Sequence, residues 1–183
     1  ILFNSINQWQ THRRRVGQQR PEIQIGLRVN PGHSEVEIDL YNPCLPGSRF
    51  GIKADDLDGI DLTGISGLHF HALCEQNADV LVRVLASFEE HFGKYIDQMR
   101  WINFGGGHHI TRQDYDVGLL CATINDFRRR HNQIAVYLEP GEAVVLNSGV
   151  FVSQVVDIVD NGLDIAVLDC SAETHLPDVL AMP

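Results

Sequence analysis

The chain lacks any run approaching the ~20 apolar residues that a membrane span needs, and its opening residues do not lead one to expect a secretory leader. A bilayer partner is therefore not expected. Cysteine is sparse as well: Cys44, Cys74, Cys121 and Cys170 are scattered with no CxxC pair. That spacing fits a reducing, cytoplasmic setting better than a disulfide framework. Positive charge is also short, and a formal net charge of −10 argues against nucleic acid while remaining compatible with a cationic ligand. No internal repeat or low-complexity stretch is present.

What is there suits one domain, or one plus a fragment of another, in 183 residues of 44% hydrophobic composition. The most informative stretch is Trp101-Ile102-Asn103-Phe104-Gly105-Gly106-Gly107-His108-His109. A short apolar strand stops at three glycines, and two histidines follow. Three glycines lose much backbone entropy on folding, so the chain must gain something there. Convergence of several N–H groups on an anion such as a phosphate is the expected gain.

Along the chain, Ile1 to Asn4 reads as a strand and Ser5 as a helix N-cap. The helix that follows carries Ile6, Trp9 and Val16 on one face and runs to Gly17, with Arg13-Arg14-Arg15 in its last turns, where positive charge suits the helix dipole. Ile23 to Val29 alternates as a strand and ends at Asn30-Pro31-Gly32, before a long polar connection with a run of acids from Asp55 to Asp61. Ile65 to Phe70 is the next strand, and Asn77 to Phe92 an amphipathic helix with Val80, Leu81, Val84, Leu85 and Phe88 on its face. Asp114 to Arg130 is helical, with Val117, Leu120, Cys121, Ile124 and Phe127 on one side, and Ile134 to Leu138 is a strand closing on Glu139-Pro140-Gly141. The strands are too apolar to have a wet face, which predicts a parallel sheet covered by helices. Every polar, glycine-bearing motif falls after a strand and before a helix, and in a β/α barrel those positions share one face.

Beyond Gly141 the rhythm changes. Val144 to Leu146, Val150 to Val159 and Leu163 to Leu168 read as strands, with Asp160-Asn161-Gly162 a hairpin signal. The expected fold class is α/β: a partial β/α (TIM-like) barrel over residues 1–141, then the start of an all-β domain over 142–183. Ile1 opens inside a strand and Leu180 to Pro183 stops without a terminal helix or tail, so the chain reads as a piece of something longer.

A glycine triplet, a histidine at one strand end and a carboxylate at another could hold a phosphorylated aromatic cofactor. Glu139 would pair with a protonated ring nitrogen and His71 would stack on the ring, which suits pyridoxal phosphate. With Arg28-Val29-Asn30-Pro31, Ser48-Arg49-Phe50-Gly51, Gly67-Leu68-His69-Phe70-His71, Asn103-Phe104-Gly105-Gly106-Gly107 and Glu139-Pro140-Gly141, the sequence resembles the fold-type III pyridoxal-phosphate decarboxylases, which act on ornithine, diaminopimelate and related amino acids. Within them, His71-Ala72-Leu73-Cys74-Glu75, the histidine pair and Glu139-Pro140-Gly141-Glu142-Ala143 look closest to the carboxynorspermidine decarboxylases of bacterial polyamine synthesis.

The resemblance implies that His71 stacks on the cofactor, that Gly105, Gly106 and Gly107 bind its phosphate, and that Glu139 contacts the ring nitrogen. Cys74 takes the place of a serine that touches the phosphate in relatives, and Arg28 lies near the cofactor. It further implies a homodimer and a cationic amino-acid or polyamine substrate; His108 is a candidate to bind that substrate, and Glu142, where the chain departs from the family, is expected to help position its cationic part. Two departures stand out. Glu142 replaces an arginine that relatives carry after Glu-Pro-Gly. The family's Schiff-base lysine sits on an early barrel strand, whereas Lys53 falls in a loop and Lys94 at a helix end, so these residues alone are not expected to form an efficient decarboxylase.

Two alternatives belong to other classes. His69 and His71 form an HxH pair of the kind that binds metal in barrel hydrolases, with His108, His109 or Asp169 as further ligands. A cofactor-binding protein without turnover is the other. His33 reads as an ordinary polar residue, a reading also open for His109 and His175, and Cys44, Cys121 and Cys170 read as small core residues.

Overall fold

In a computed structural model describing residues 1–181, the short strand β1 (Leu2–Phe3) gives way to α1 (Ile6–Gln19) at Ser5, whose hydroxyl accepts from the Gln8 N–H at 3.2 Å. The remaining elements are β2 (Ile25–Arg28), β3 (Ile65–His69), α2 (Ala78–Ile96), β4 (Trp101–Asn103), α3 (Val117–Arg130), β5 (Ala135–Tyr137), α4 (Gly141–Val145), β6 (Val155–Asp160), β7 (Asp164–Leu168), α5 (Ala172–His175) and α6 (Asp178–Ala181). The chain divides into two compact units, Ile1–Leu146 and the residues from Asn147 onward.

In the first unit the strands form one parallel sheet in the order β1-β2-β3-β4-β5. Sequential order with no reversal is the wall of a β/α barrel rather than a doubly wound sheet, which has a switch point. Helices cover the β1–β2, β3–β4 and β4–β5 crossovers, while the β2–β3 connection carries only 3-10 turns at Asp39–Tyr41 and Ala54–Leu57. The register aligns Arg28, His69, Asn103 and Tyr137 in one row at the carboxyl edge. That row is where the sequence had concentrated its polar residues.

The core lies between the sheet and α2. Asn77 caps α2, and Leu81, Val84, Leu85, Phe88 and Phe92 are buried along it at the spacing of one helical face. Phe70 at the end of β3 packs on Phe88 and on Phe104, with centroids 4.9 and 5.3 Å away, and Phe104 meets Phe127 of α3 edge-on. These rings join strand ends to helices, so the carboxyl edge is held from beneath by a fully apolar layer. On the sheet itself Trp101 covers Gly67, where a Cβ would come within 2.1 Å of its ring.

Several expectations are corrected. Helix α1 continues to Gln19, which leaves Arg13 to Arg15 in its interior; Arg13 lies over the Trp9 ring at 5.0 Å instead of serving the helix end. On α3 the buried residues are Leu120 and Phe127, while Val117 and Cys121 are exposed. A β-branched residue at the first helical position faces out because the core stripe begins one turn later. Cys121 is therefore not a core residue, and Cys44 and Cys170 are only half-buried. Val144 and Val145 lie in α4 rather than in a strand: Pro140 fixes φ at its N-cap, and the Leu146 N–H bonds back to the Glu142 carbonyl at 2.9 Å.

The second unit contains an antiparallel hairpin of β6 and β7 turning at Asn161 and Gly162, where the Asp160 carboxylate accepts from the Gly162 N–H at 3.0 Å. Residues 150–154 precede β6 without strand pairing. The chain also has a short final helix, α6, where none was expected, although Met182 and Pro183 lie outside the described residues. Among the described residues no helix is long and apolar enough to cross a membrane.

Candidate active site

The carboxyl edge gathers its polar groups around Asn103. Its Nδ2 donates to Glu139 Oε1 at 2.8 Å, and its Oδ1 accepts from the Gly105 N–H at 2.9 Å. One amide at the end of β4 thus fixes both the glycine loop and the carboxylate after β5. The second oxygen of Glu139 stays open, 3.6 Å from His69 Nε2, which is beyond hydrogen-bond length. His69 is 5% exposed, and neither ring nitrogen has a hydrogen-bond partner among the described residues.

The glycine triplet is required first by the protein's own backbone. A Cβ on Gly105 would lie 2.4 Å from the Phe70 carbonyl oxygen, on Gly106 2.6 Å from that of Glu139, and on Gly107 2.0 Å from that of Leu73. Gly105 and Gly107 also sit at φ of +73° and +80°, in the left-handed region. The Gly105 N–H is taken by Asn103, and the Gly106 N–H donates to His71 Nδ1 at 3.4 Å. Only the Gly107 N–H has no partner among the described residues.

Gly107 opens on a cavity of about 640 Å³, a size typical of small-molecule sites. His71, Cys74, His108, Glu142 and Arg28 line it too. Arg28 and Arg49 both lie against the Phe50 ring, at 4.3 and 4.4 Å from its centroid, so the end of β2 and the β2–β3 connection each bring one cation to the wall. Across the loops, His109 Nε2 lies 3.2 Å from Glu142 Oε1 without hydrogen-bond geometry. Thr111 Oγ1 donates to the Ala143 carbonyl at 2.8 Å and ties the β4–α3 loop to α4.

The electrostatics favour neutral imidazoles. Burial pushes His69 down to about 4, with Arg28 and His71 acting in the same direction and Glu139 opposing. Burial also lowers His71, assisted by Arg28 against Glu139. His108, 2% exposed, is pushed down to about 4 by burial, against the backbone carbonyls of Phe104 and Gly105. Arg28 is lowered by partial burial but stays a cation, as any guanidinium does at neutral pH.

His71, Cys74, Gly107, His108, Glu142 and Arg28 thus share one cavity, with Gly105, Gly106 and Glu139 behind His71. Neither lysine lines it: Lys94 pairs with Asp58 on an exposed face, and Lys53 is exposed ahead of a 3-10 turn. For a metal, the grouping the structure offers is His69, His71 and Glu139, with one ligand atom from each within 4.8 Å of the others. Glu139 completes that set rather than the expected His108, His109 or Asp169; the Asp169 carboxylate accepts from the Gln154 N–H in the second unit. His33 pairs with Glu35 at 3.0 Å. Sequence reasoning missed the organising role of Asn103, though a polar residue ending an otherwise buried strand is a signal for it. It also missed Phe50 as the shared platform for two arginines.

No protein-family model matches the chain. Among curated proteins it is 49% identical over 183 residues to a carboxynorspermidine/carboxyspermidine decarboxylase of Campylobacter jejuni, covering 100% of this chain and 47% of that protein. It is 41% identical over 184 residues to a carboxyaminopropylagmatine decarboxylase of Synechocystis, with coverages of 100% and 47%. Among solved structures, carboxynorspermidine decarboxylase of Campylobacter jejuni complexed with norspermidine matches with a TM-score of 0.82 and 46% identity, over 100% of this chain and 46% of that one. Diaminopimelate decarboxylase from Helicobacter pylori matches with a TM-score of 0.72 at 16% identity, which shows a shared fold. The chain spans about half the length of the curated relatives it matches.

Proposed function

We propose that the chain, 49% identical to a carboxynorspermidine/carboxyspermidine decarboxylase, forms part of an enzyme that removes carbon dioxide from a polycationic α-amino acid with pyridoxal phosphate as cofactor. Carboxynorspermidine and carboxyspermidine are the substrates this reading favours, giving norspermidine and spermidine. The observation that carries it is Glu139: its position is set by Asn103, and one oxygen is left open beside the buried ring of His69 and close to His71.

The residues present fit the cofactor. His71 offers a neutral imidazole face at the cavity wall, suited to stacking on the cofactor's aromatic ring without repelling its protonated nitrogen. The Gly107 N–H, with Gly105, Gly106 and Cys74 around it and Arg28 on the same wall, suits a phosphate. The open oxygen of Glu139 would accept from a protonated ring nitrogen. When bound, the cofactor supplies an electron sink for the breaking bond to the carboxylate. Glu139 keeps the proton on the ring nitrogen, Asn103 keeps Glu139 aimed, and His71 and His108 take the place of water along the wall. The bond from the α-carbon to the carboxylate breaks, carbon dioxide leaves, and a proton takes its place. Glu142 and His108 would face the cationic tail.

The lysine that anchors the cofactor would come from the remainder of the full protein. Residues 1–141 would then be the later part of the barrel and 142–183 the lead into the β domain, in a cytoplasmic homodimer. The full natural chain, supplied with pyridoxal phosphate and carboxynorspermidine, should release carbon dioxide and norspermidine. Glu139→Gln should slow turnover about 100-fold or more. Wild-type protein that takes up cofactor but releases no carbon dioxide would support a binding protein instead.

One observation favours a second reading, the spacing of His69, His71 and Glu139 within reach of a single divalent ion. Stoichiometric metal in the purified full chain, with no cofactor uptake, would support a barrel hydrolase.

A further inference from the structure

We propose that Glu75 is a second carboxylate anchor for the cationic tail of the substrate, acting with Glu142 across the same cavity; this rests on the decarboxylase reading above. Glu75 follows Cys74 in the loop between β3 and α2 and lines the cavity. Its backbone stands at φ of +54°, where a glycine would sit at less cost. The turn is nevertheless held firmly. The Gln76 N–H donates to the Gly107 carbonyl at 3.1 Å, the His109 N–H to the Gln76 carbonyl at 3.4 Å, and Arg112 Nη1 to the Glu75 carbonyl at 3.3 Å. A position that would accept glycine but carries a glutamate at a cavity wall points to use of the side chain. That carboxylate is exposed at the cavity wall and makes no hydrogen bond or ion pair among the described residues.

A second and independent observation marks the cavity as a polar ligand site. His108 lines it with the ring 2% exposed and neither ring nitrogen in hydrogen-bond geometry, although the Phe104 and Gly105 carbonyls lie nearby. A neutral imidazole has an acceptor nitrogen, and carboxylates are pure acceptors, so Glu75, Glu142 and His108 together call for a donor-rich cation. Arg28 and Arg49 line the same cavity and suit the anionic groups. A molecule with a carboxylate at one end and two ammonium groups beyond it matches that inventory. Glu75 would receive the terminal ammonium group and Glu142 the inner one, which makes tail length a quantity this pair can measure.

The test uses the full natural enzyme with its cofactor. Glu75→Gln and Glu75→Gly should each raise KM for carboxynorspermidine about tenfold or more while kcat stays within about threefold. The same variants should leave turnover of 2,4-diaminobutyrate, which lacks the aminopropyl tail, unchanged. Glu75→Gly should melt no lower than wild type, because glycine relieves the left-handed backbone; a merely structural Glu75 would not separate stability from KM in this way. Unchanged KM in both variants, or an equal effect on both substrates, would overturn the proposal. If wild type decarboxylates neither acid, the decarboxylase reading fails by itself, and norspermidine calorimetry still decides: wild-type binding that weakens about tenfold in Glu75→Gln supports the anchor, and equal or absent binding overturns it.

Discussion

Asn103 shows how much one side chain can organise. It satisfies a buried N–H of the glycine loop and holds Glu139 at the same time. Asn103→Ala would orphan the Gly105 N–H and free the carboxylate, so it should lower unfolding stability by about 1–3 kcal/mol, read by urea denaturation. Its motif was visible in the sequence, but a hydrogen bond to a residue 36 positions on has no local signature. The buried imidazoles make a second prediction at this scale. His69 and His108 have folded pKa values pushed down to about 4 from 6.5. As pH falls through 6.5 the unfolded chain takes up these protons and the folded one does not. Their contribution is therefore intact above about 6.5, lost progressively on the way to about 4, and constant below that. Each ring contributes at most on the order of 3 kcal/mol to this slope. Urea midpoints measured from pH 7 to 4.5 should fall, and the fall should be shallower in His108→Gln.

At the scale of elements, the loops after the strands are built by backbone packing on backbone. Gly107→Ala would drive a methyl to 2.0 Å from the Leu73 carbonyl oxygen at a φ of +80°, and should cost roughly 3 kcal/mol or more. Gly93 in α2 has nothing within 4 Å of its notional Cβ, and Gly93→Ala should instead stabilise by about 1 kcal/mol. Thermal melts of the two variants should move in opposite directions. The existence of a glycine loop was legible in the sequence because three glycines in a row have few other reasons. Its cause was only half legible: the neighbours that exclude a Cβ come from the segments after β3 and β5, far away along the chain. Helices α1, α2 and α3 were readable from Ser5, Asn77 and the apolar spacing, whereas α4 was not. Val144 and Val145 favour strand locally, and Pro140 with the closing turn overrides that preference.

At the scale of the whole molecule, apolar strands alternating with amphipathic helices were enough to expect a parallel sheet with its functional groups on one edge. The sequential strand order and the row from Arg28 to Tyr137 bear that out. The division of labour is physical: Phe70, Phe88, Phe104 and Phe127 fill the layer below, which leaves the carboxyl edge free to carry groups that do not help folding. What this edge lacks is an amine, since Lys53 and Lys94 both lie away from the cavity. The most direct measurement is therefore the visible absorbance of the full natural protein with pyridoxal phosphate, before and after borohydride, with peptide mapping of the labelled lysine. A yellow protein, bleached by borohydride and labelled on a lysine other than Lys53 and Lys94, is the result expected here. A colourless protein that takes up no pyridoxal phosphate, or a label on Lys53 or Lys94, would contradict the account of this cavity as a cofactor site completed from elsewhere in the protein.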